Sequence, residues 1–201
     1  MITVIDYDAG NIGSITNMLK KIGIQSQVSG CKTDLVNSDI LILPGVGSFD
    51  YGMSRLRKKD LVGPILTHAL EHKRPILGIC LGLQLFCNGS EEGSSEGLNL
   101  INATVKKFED PLNNFRIPHM GWNYIKSESP VFANIDEPRF YFVHSYYVPG
   151  NIKESIGSTA YCNMNFSSAV QKDNIFGYQF HPEKSNMNGF DLLKNTFNEF
   201  Y

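Results

Sequence analysis

The chain has 201 residues, and 18 Lys and Arg against 20 Asp and Glu leave a net charge of −2 with no basic stripe for a phosphate backbone. That length suits one ordinary core over 1–201 without disulfides or a structural metal, and 42% hydrophobic residues exclude intrinsic disorder. No apolar run approaches the ~20 residues that span a bilayer, no basic leader precedes the first apolar run, and the four cysteines lack a CxxC pair, so a reduced, cytoplasmic protein is expected.

Short apolar runs alternate with amphipathic segments through the first half, the pattern of a doubly wound α/β sheet. Residues 2–5 read as a first strand. Ile15, Met18, Leu19 and Ile22 then fall at i, i+3, i+4 and i+7, one face of a helix that Gly23 ends. Residues 24–28 alternate apolar and polar, as an edge strand does, whereas 40–43 are apolar throughout and belong inside the sheet. Ile65, Leu66, Ala69 and Leu70 mark another helix, with His68 and His72 on its solvated face. Residues 76–79 read as a buried strand, and a helix begins at Leu83. Beyond Asn88 the chain turns β-rich, with strand-like runs at 103–108, 123–125, 140–143, 168–171 and 175–180 before a closing helix from Gly189. The expected fold is a mostly parallel central sheet with flanking helices and a β-richer C-terminal half.

Gly78-Ile79-Cys80-Leu81-Gly82 lies between a buried strand and a helix, the thiol form of a nucleophile elbow. A sharp strand-to-helix turn strains the nucleophile's backbone and brings the chain close to itself, which calls for flanking glycines. It also sets Cys80 at a helix N-terminus, where free N–H groups favour an anionic nucleophile. On the pentapeptide alone, a buried structural cysteine stays open as the alternative. His181 ends the last strand, where ligands sit in doubly wound folds, and Glu183 two residues on can orient its imidazole. Cys80, His181 and Glu183 thus form a candidate nucleophile, base and orienting carboxylate. For a tetrahedral oxyanion, the Leu81 N–H is one candidate donor and the Gly47 N–H in Pro44-Gly45-Val46-Gly47 a second, beside the alternative of an ordinary glycine turn.

These segments resemble the class I (triad-type) glutamine amidotransferases, and among them the glutaminase subunits of imidazole glycerol phosphate synthase. The resemblance spans nearly the whole chain: Val4-Ile5-Asp6-Tyr7 with Gly10-Asn11, Leu43 to Phe49, Leu77 to Leu85, Ser90-Glu91-Glu92, Pro118-His119-Met120-Gly121-Trp122-Asn123, Phe142 to Tyr147, and Gln179-Phe180-His181-Pro182-Glu183-Lys184-Ser185. It implies a flavodoxin-like sheet and no cofactor or metal. It further implies that Cys80 attacks the glutamine side-chain amide, with His181 as base and then acid, and that a γ-glutamyl thioester forms as ammonia leaves. Gln84 and Glu92 would hold the amino-acid end, with His144, Ser145 and Tyr146 lining the pocket; for Glu92 alone, a solvated loop acid is the alternative. Ammonia would pass to a (β/α)8 cyclase subunit in a heterodimer of histidine biosynthesis. Pro118, His119, Met120, Gly121, Trp122, Asn123 and Lys184 would face that partner, unless Trp122 belongs to the core. Asp8-Ala9 departs from the family's usual smaller or apolar residues, and Asn88-Gly89 and Ser94-Ser95 make the region after the elbow more polar. Two other functions are carried alongside: a paralogous glutaminase feeding a sugar amidotransferase of surface-polysaccharide synthesis, and a nonglutaminase cysteine hydrolase or silent interaction subunit.

Overall fold

The computed structural model describes residues 1–110 and 114–200. The first half runs β1 (Ile2–Ile5), α1 (Ile12–Lys21), β2 (Ser26–Ser29), α2 (Lys32–Asn37), β3 (Ile40–Leu43), α3 (Phe49–Lys58), α4 (Val62–Leu66), β4 (Ile76–Ile79) and α5 (Leu81–Leu85). The second half brings β5 (Gly89–Ser90), β6 (Thr104–Lys107), β7 (His119–Tyr124), β8 (Arg139–His144), β9 (Tyr146–Pro149), β10 (Ser155–Tyr161), β11 (Met164–Lys172), β12 (Ile175–Tyr178) and α6 (Asn186–Asn198). The parallel part of the sheet has the order β2-β1-β3-β4-β12. From β12 it continues antiparallel through β11, β9 and β6, while β7 and β8 pair separately as an antiparallel ribbon.

Strand alternation divides the core into two layers. Ile40 and Ile42 of β3 face Ile15 and Leu19 of α1 and Leu192 and Leu193 of α6. Leu41 and Leu43 face the other side, with Met53 and Leu56 of α3 and Leu83 and Leu85 of α5. Helices on both faces explain why β1, β3, β4 and β12 are buried at every position. No described helix is long and apolar enough to cross a membrane.

Several expectations shift in detail. The edge strand lies at Ser26–Ser29 rather than 24–28, and the helix after the elbow starts at Leu81 rather than Leu83. The helix expected around 65–70 is α4, which widens into a π-helical turn over Thr67–Glu71, where His72 N–H reaches back five residues to Thr67 O at 2.9 Å. This wider turn rotates the helix face, so Leu70 is exposed and His68 is buried, with Nε2 3.0 Å from Pro75 O. The solvated-face reading is therefore corrected for His68, while His72 is exposed. Neither α2 nor α3 was expected, nor β5, β9 and β10.

Candidate functional site

β3, β4 and β12 are parallel neighbours, with Gly78 of β4 in register with Leu43 and Gly177. Their carboxyl ends bring together the loop 44–47, Cys80 and the segment 179–181. The Cys80 N–H continues the sheet by donating to Tyr178 O at 2.7 Å, and the backbone then turns abruptly: Cys80 has φ 55° and ψ −109°, a conformation that L-residues avoid. The turn is too tight for flanking side chains. A Cβ on Gly78 would lie 2.6 Å from the Phe86 ring and 2.7 Å from Leu83 N, and one on Gly82 would strike the Leu43 carbonyl oxygen.

His181 is fixed at both backbone ends. Its N–H donates to Tyr141 O at 2.9 Å, and its carbonyl accepts from the Ser185 hydroxyl at 2.6 Å, which in turn accepts the Tyr141 N–H at 3.0 Å. The imidazole Nδ1 lies 2.7 Å from Glu183 Oε1, and the two side chains are 2% and 1% exposed. Nε2 is buried without a hydrogen-bond partner among the described residues. Burial disfavours an imidazolium there, but the charges of Cys80 and Glu183 outweigh it and raise the His181 pKa above its ordinary value. Glu183 therefore selects the tautomer in which Nδ1 carries a proton, leaving Nε2 to exchange one with a reacting group.

Cys80 and His181 line a cavity of about 420 Å³ together with Gly47, Leu81, Gln84, Glu92, His144, Ser145 and Tyr146. Gly47 has φ +101°, in the left-handed region that favours glycine. Glu92 is no free loop acid: Oε2 accepts the Phe49 N–H at 2.7 Å, and Asp50 beside it accepts the Ser94 and Ser95 N–H groups at 3.1 and 2.9 Å. The loop after the elbow and the start of α3 are thus latched to each other through the Glu92 and Asp50 carboxylates and the backbone N–H groups of residues 49, 94 and 95. Burial raises the Glu92 pKa, with the Phe49 N–H working against that rise.

The residues expected at a partner face divide by strand alternation. Met120 and Trp122 point outward, 62% and 38% exposed, so Trp122 is not in the core. His119 is 4% exposed, and its inward position corrects the expectation that it faces a partner; half-buried Asn123 follows it, donating to Nε2 of His119 at 3.2 Å. Pro118 lines the cavity mouth, half-buried Gly121 lies between the two outward side chains, and Lys184 is exposed with Nζ 5.7 Å from the Tyr141 ring centroid. Asp8 forms ion pairs with Arg55 and Lys59, tying the end of β1 to α3.

Three residues received no individual role from the sequence. Tyr7 is fully buried and donates its hydroxyl to Pro44 O at 2.6 Å, anchoring the loop that leads to Gly47. Gln179 donates to Cys80 Sγ at 3.8 Å and accepts from Gln84 Nε2 at 3.0 Å. Ser185 holds His181 as described. β12 ends at Tyr178, two residues short of the expected strand at 175–180, and Gln179 lies in the bend that follows it, where no local pattern in the sequence marks it.

The family model for class I glutamine amidotransferases matches residues 3–200. A protein of Methanococcus maripaludis named imidazole glycerol phosphate synthase subunit HisH 2 is 48% identical, covering 97% of this chain and 98% of its own length. A Pseudomonas aeruginosa protein of the same name is 43% identical with the same coverage. A crystal structure described as a glutamine amidotransferase superposes with a TM-score of 0.77 at 15% identity, covering 100% of this chain and 98% of its own, so the likeness there is one of fold. The strained cysteine elbow and the buried histidine–carboxylate pair coincide with a family match over nearly every residue, and the chain belongs to the class I glutamine amidotransferases.

Proposed function

We propose that the chain is the glutaminase subunit of imidazole glycerol phosphate synthase, a single amidotransferase domain over 1–201 that hydrolyses L-glutamine to glutamate and ammonia in the cytoplasm for use in histidine biosynthesis. The observation that carries this reading is the buried 2.7 Å pair of His181 and Glu183 beside Cys80 in one cavity, within a chain 48% identical to a subunit of that name. As His181 Nε2 takes the thiol proton, Sγ of Cys80 attacks the glutamine side-chain carbonyl carbon. The resulting oxyanion takes hydrogen bonds from the Leu81 and Gly47 N–H groups. As the tetrahedral intermediate collapses, His181 gives its Nε2 proton to the departing nitrogen, the carbon–nitrogen bond breaks, and ammonia and a γ-glutamyl thioester result. Water then attacks the thioester with His181 as base, releasing glutamate and restoring the thiol. Gln84 and Glu92 hold the amino-acid end of the substrate, because an ammonium group seeks carboxylate and carbonyl acceptors.

Ammonia is handed to a (β/α)8 cyclase subunit seated on the outward face of β7, with Met120, Trp122 and Lys184 at the contact. Exposed Met and Trp at a strand edge suit an interface anchor. Delivery to a sugar amidotransferase is the second reading, favoured by the ion-paired Asp8 where the family's usual residue is small or apolar.

Nitrogen-source kinetics separate these steps. With cyclase and acceptor present, His181→Ala should abolish glutamine-dependent synthesis and leave synthesis from free ammonium at high pH unchanged. Equal loss with both sources contradicts the subunit role. A cyclase that gains nothing from the wild-type chain and glutamine shifts support to the sugar pathway.

A further inference from the structure

β7 and β8 carry two buried histidines whose four ring nitrogens are all engaged within the chain. His144 Nδ1 lies 2.7 Å from Tyr146 O, His144 Nε2 lies 3.0 Å from His119 Nδ1, and His119 Nε2 lies 3.2 Å from Asn123 Nδ2. Both ends of this row have fixed polarity, since a carbonyl only accepts and an amide NH2 only donates. The Asn123 amide has one orientation, because its Oδ1 accepts the Tyr124 N–H at 2.8 Å and its Nδ2 also donates to Ala160 O at 3.2 Å. The tautomers follow. His144 carries its proton on Nδ1, its Nε2 accepts from His119 Nδ1–H, and His119 Nε2 accepts from Asn123. Both rings are neutral, and an added proton would set two N–H groups against each other. Burial acts in the same direction, lowering the pKa of His119 to about 4 and of His144 to about 3.

The far end of the row enters the cavity. Tyr146 O accepts a second hydrogen bond, from Gln84 Nε2 at 3.0 Å, and Gln84 continues through Gln179 to the Cys80 sulfur. Ser145 belongs to neither strand, so the side-chain bond from His144 to Tyr146 closes the turn between β8 and β9. That turn lines the cavity.

We propose that His144, held in its Nδ1–H tautomer by His119 and Asn123, is a positioning residue for glutamine: it pins the Tyr146 carbonyl and thereby fixes the Ser145–Tyr146 turn and the Gln84 amide that receive the substrate's amino-acid end. This assignment rests on reading the cavity as a glutamine site. A shared acceptor makes the parts interdependent, because a Tyr146 carbonyl that swings away loses both donors at once.

The test is saturable inactivation of the full chain by 6-diazo-5-oxo-L-norleucine, which yields a half-saturating concentration and a maximal rate separately. In His144→Asn the short amide can place a donor near the Nδ1 position, whereas in His144→Gln the amide reaches toward Nε2 and the donor to Tyr146 O is lost. His144→Gln should raise the half-saturating concentration about tenfold or more while its maximal rate changes by less than about threefold, and His144→Asn should recover most of the binding. A matched loss in both variants, or a loss confined to the maximal rate, overturns the assignment. Nitrogen-15 imidazole shifts of the wild-type chain near neutral pH give a readout that needs no variant to fold: both rings should be neutral with the proton on Nδ1, and an Nε2–H tautomer at either histidine overturns it. A wild-type chain that is not inactivated at Cys80 removes the glutamine reading and this assignment with it. Saturable wild-type inactivation with no difference among the variants removes the assignment alone.

Discussion

The Tyr7 hydroxyl is one atom with a specific consequence. It donates to Pro44 O at 2.6 Å from a fully buried position, and burial with the nearby Cys80 pushes its pKa up, so it is a protonated donor throughout the working range. Pro44 begins the segment that ends at Gly47, whose N–H serves the oxyanion in the proposed mechanism. Gly45 between them backs onto the elbow, where a Cβ would come within 2.6 Å of Gly82 N. Tyr7→Phe should cost about 1 kcal/mol of stability, the net worth of a typical hydrogen bond. Because an oxyanion donor acts in the transition state, partner-stimulated glutaminase should lose kcat with KM nearly unchanged. Steady-state kinetics decide this, and an unchanged kcat would detach Tyr7 from the loop. The cysteines also separate at this scale. Cys87 is buried and its pKa is pushed up to about 12, and burial likewise raises Cys162, whereas Cys31 is exposed and hydrogen bonds from Thr33 lower its pKa. A general alkylating agent will therefore find Cys31 as well, and only a reagent shaped like glutamine discriminates for Cys80.

Among the elements, legibility followed the local signal. The buried strands β1, β3 and β4 were readable with their bounds because continuous apolar runs bounded by turn residues admit few other readings. The elbow was readable because its two glycines answer a steric demand that the Phe86 ring and the Leu43 carbonyl impose. α3 escaped notice although Phe49, Gly52, Met53 and Leu56 fall at i, i+3, i+4 and i+7 and are all buried, since a glycine in the stripe weakens the pattern. The π-helical turn after α4 could not be foreseen: one hydrogen bond five residues back exchanges Leu70 for His68 on the buried face without any compositional mark. Within β7, alternation splits the segment expected at a partner face: Met120 and Trp122 point outward, as does Tyr124 beyond the motif, while His119 points inward. The histidine row was invisible because it depends on the register that sets His119 opposite His144.

For the molecule as a whole, the buried histidines govern how stability depends on pH. His119 and His144 are neutral in the folded state, with pKa values lowered by burial to about 4 and about 3, whereas an unfolded histidine titrates near ~6.5. Below that value the unfolded chain binds protons that the folded chain refuses, so acid favours unfolding by up to ~1.4 kcal/mol per pH unit for each histidine. His181 has the opposite sign. Its folded pKa is raised, so its contribution is complete below ~6.5 and is lost as pH rises through the folded value. Burial lowers His68 in the same direction as His119 and His144, and together these histidines place the stability maximum near pH ~6.5. Denaturant midpoints should fall between pH 6.5 and 5, a window above most carboxylate titration. A flat profile there contradicts the neutral assignment of the pair.

In the proposed mechanism the Cys80 sulfur, at the strained elbow beside the buried His181–Glu183 pair, is the atom that meets glutamine. The most direct test is peptide mapping by mass spectrometry after treatment with a limiting amount of an electrophilic glutamine analogue, with excess glutamine as competitor. Modification should fall on Cys80, be suppressed by glutamine, and leave exposed Cys31 untouched. Modification of Cys31 or Cys87 in preference to Cys80, or labelling of Cys80 that glutamine does not slow, would contradict the account.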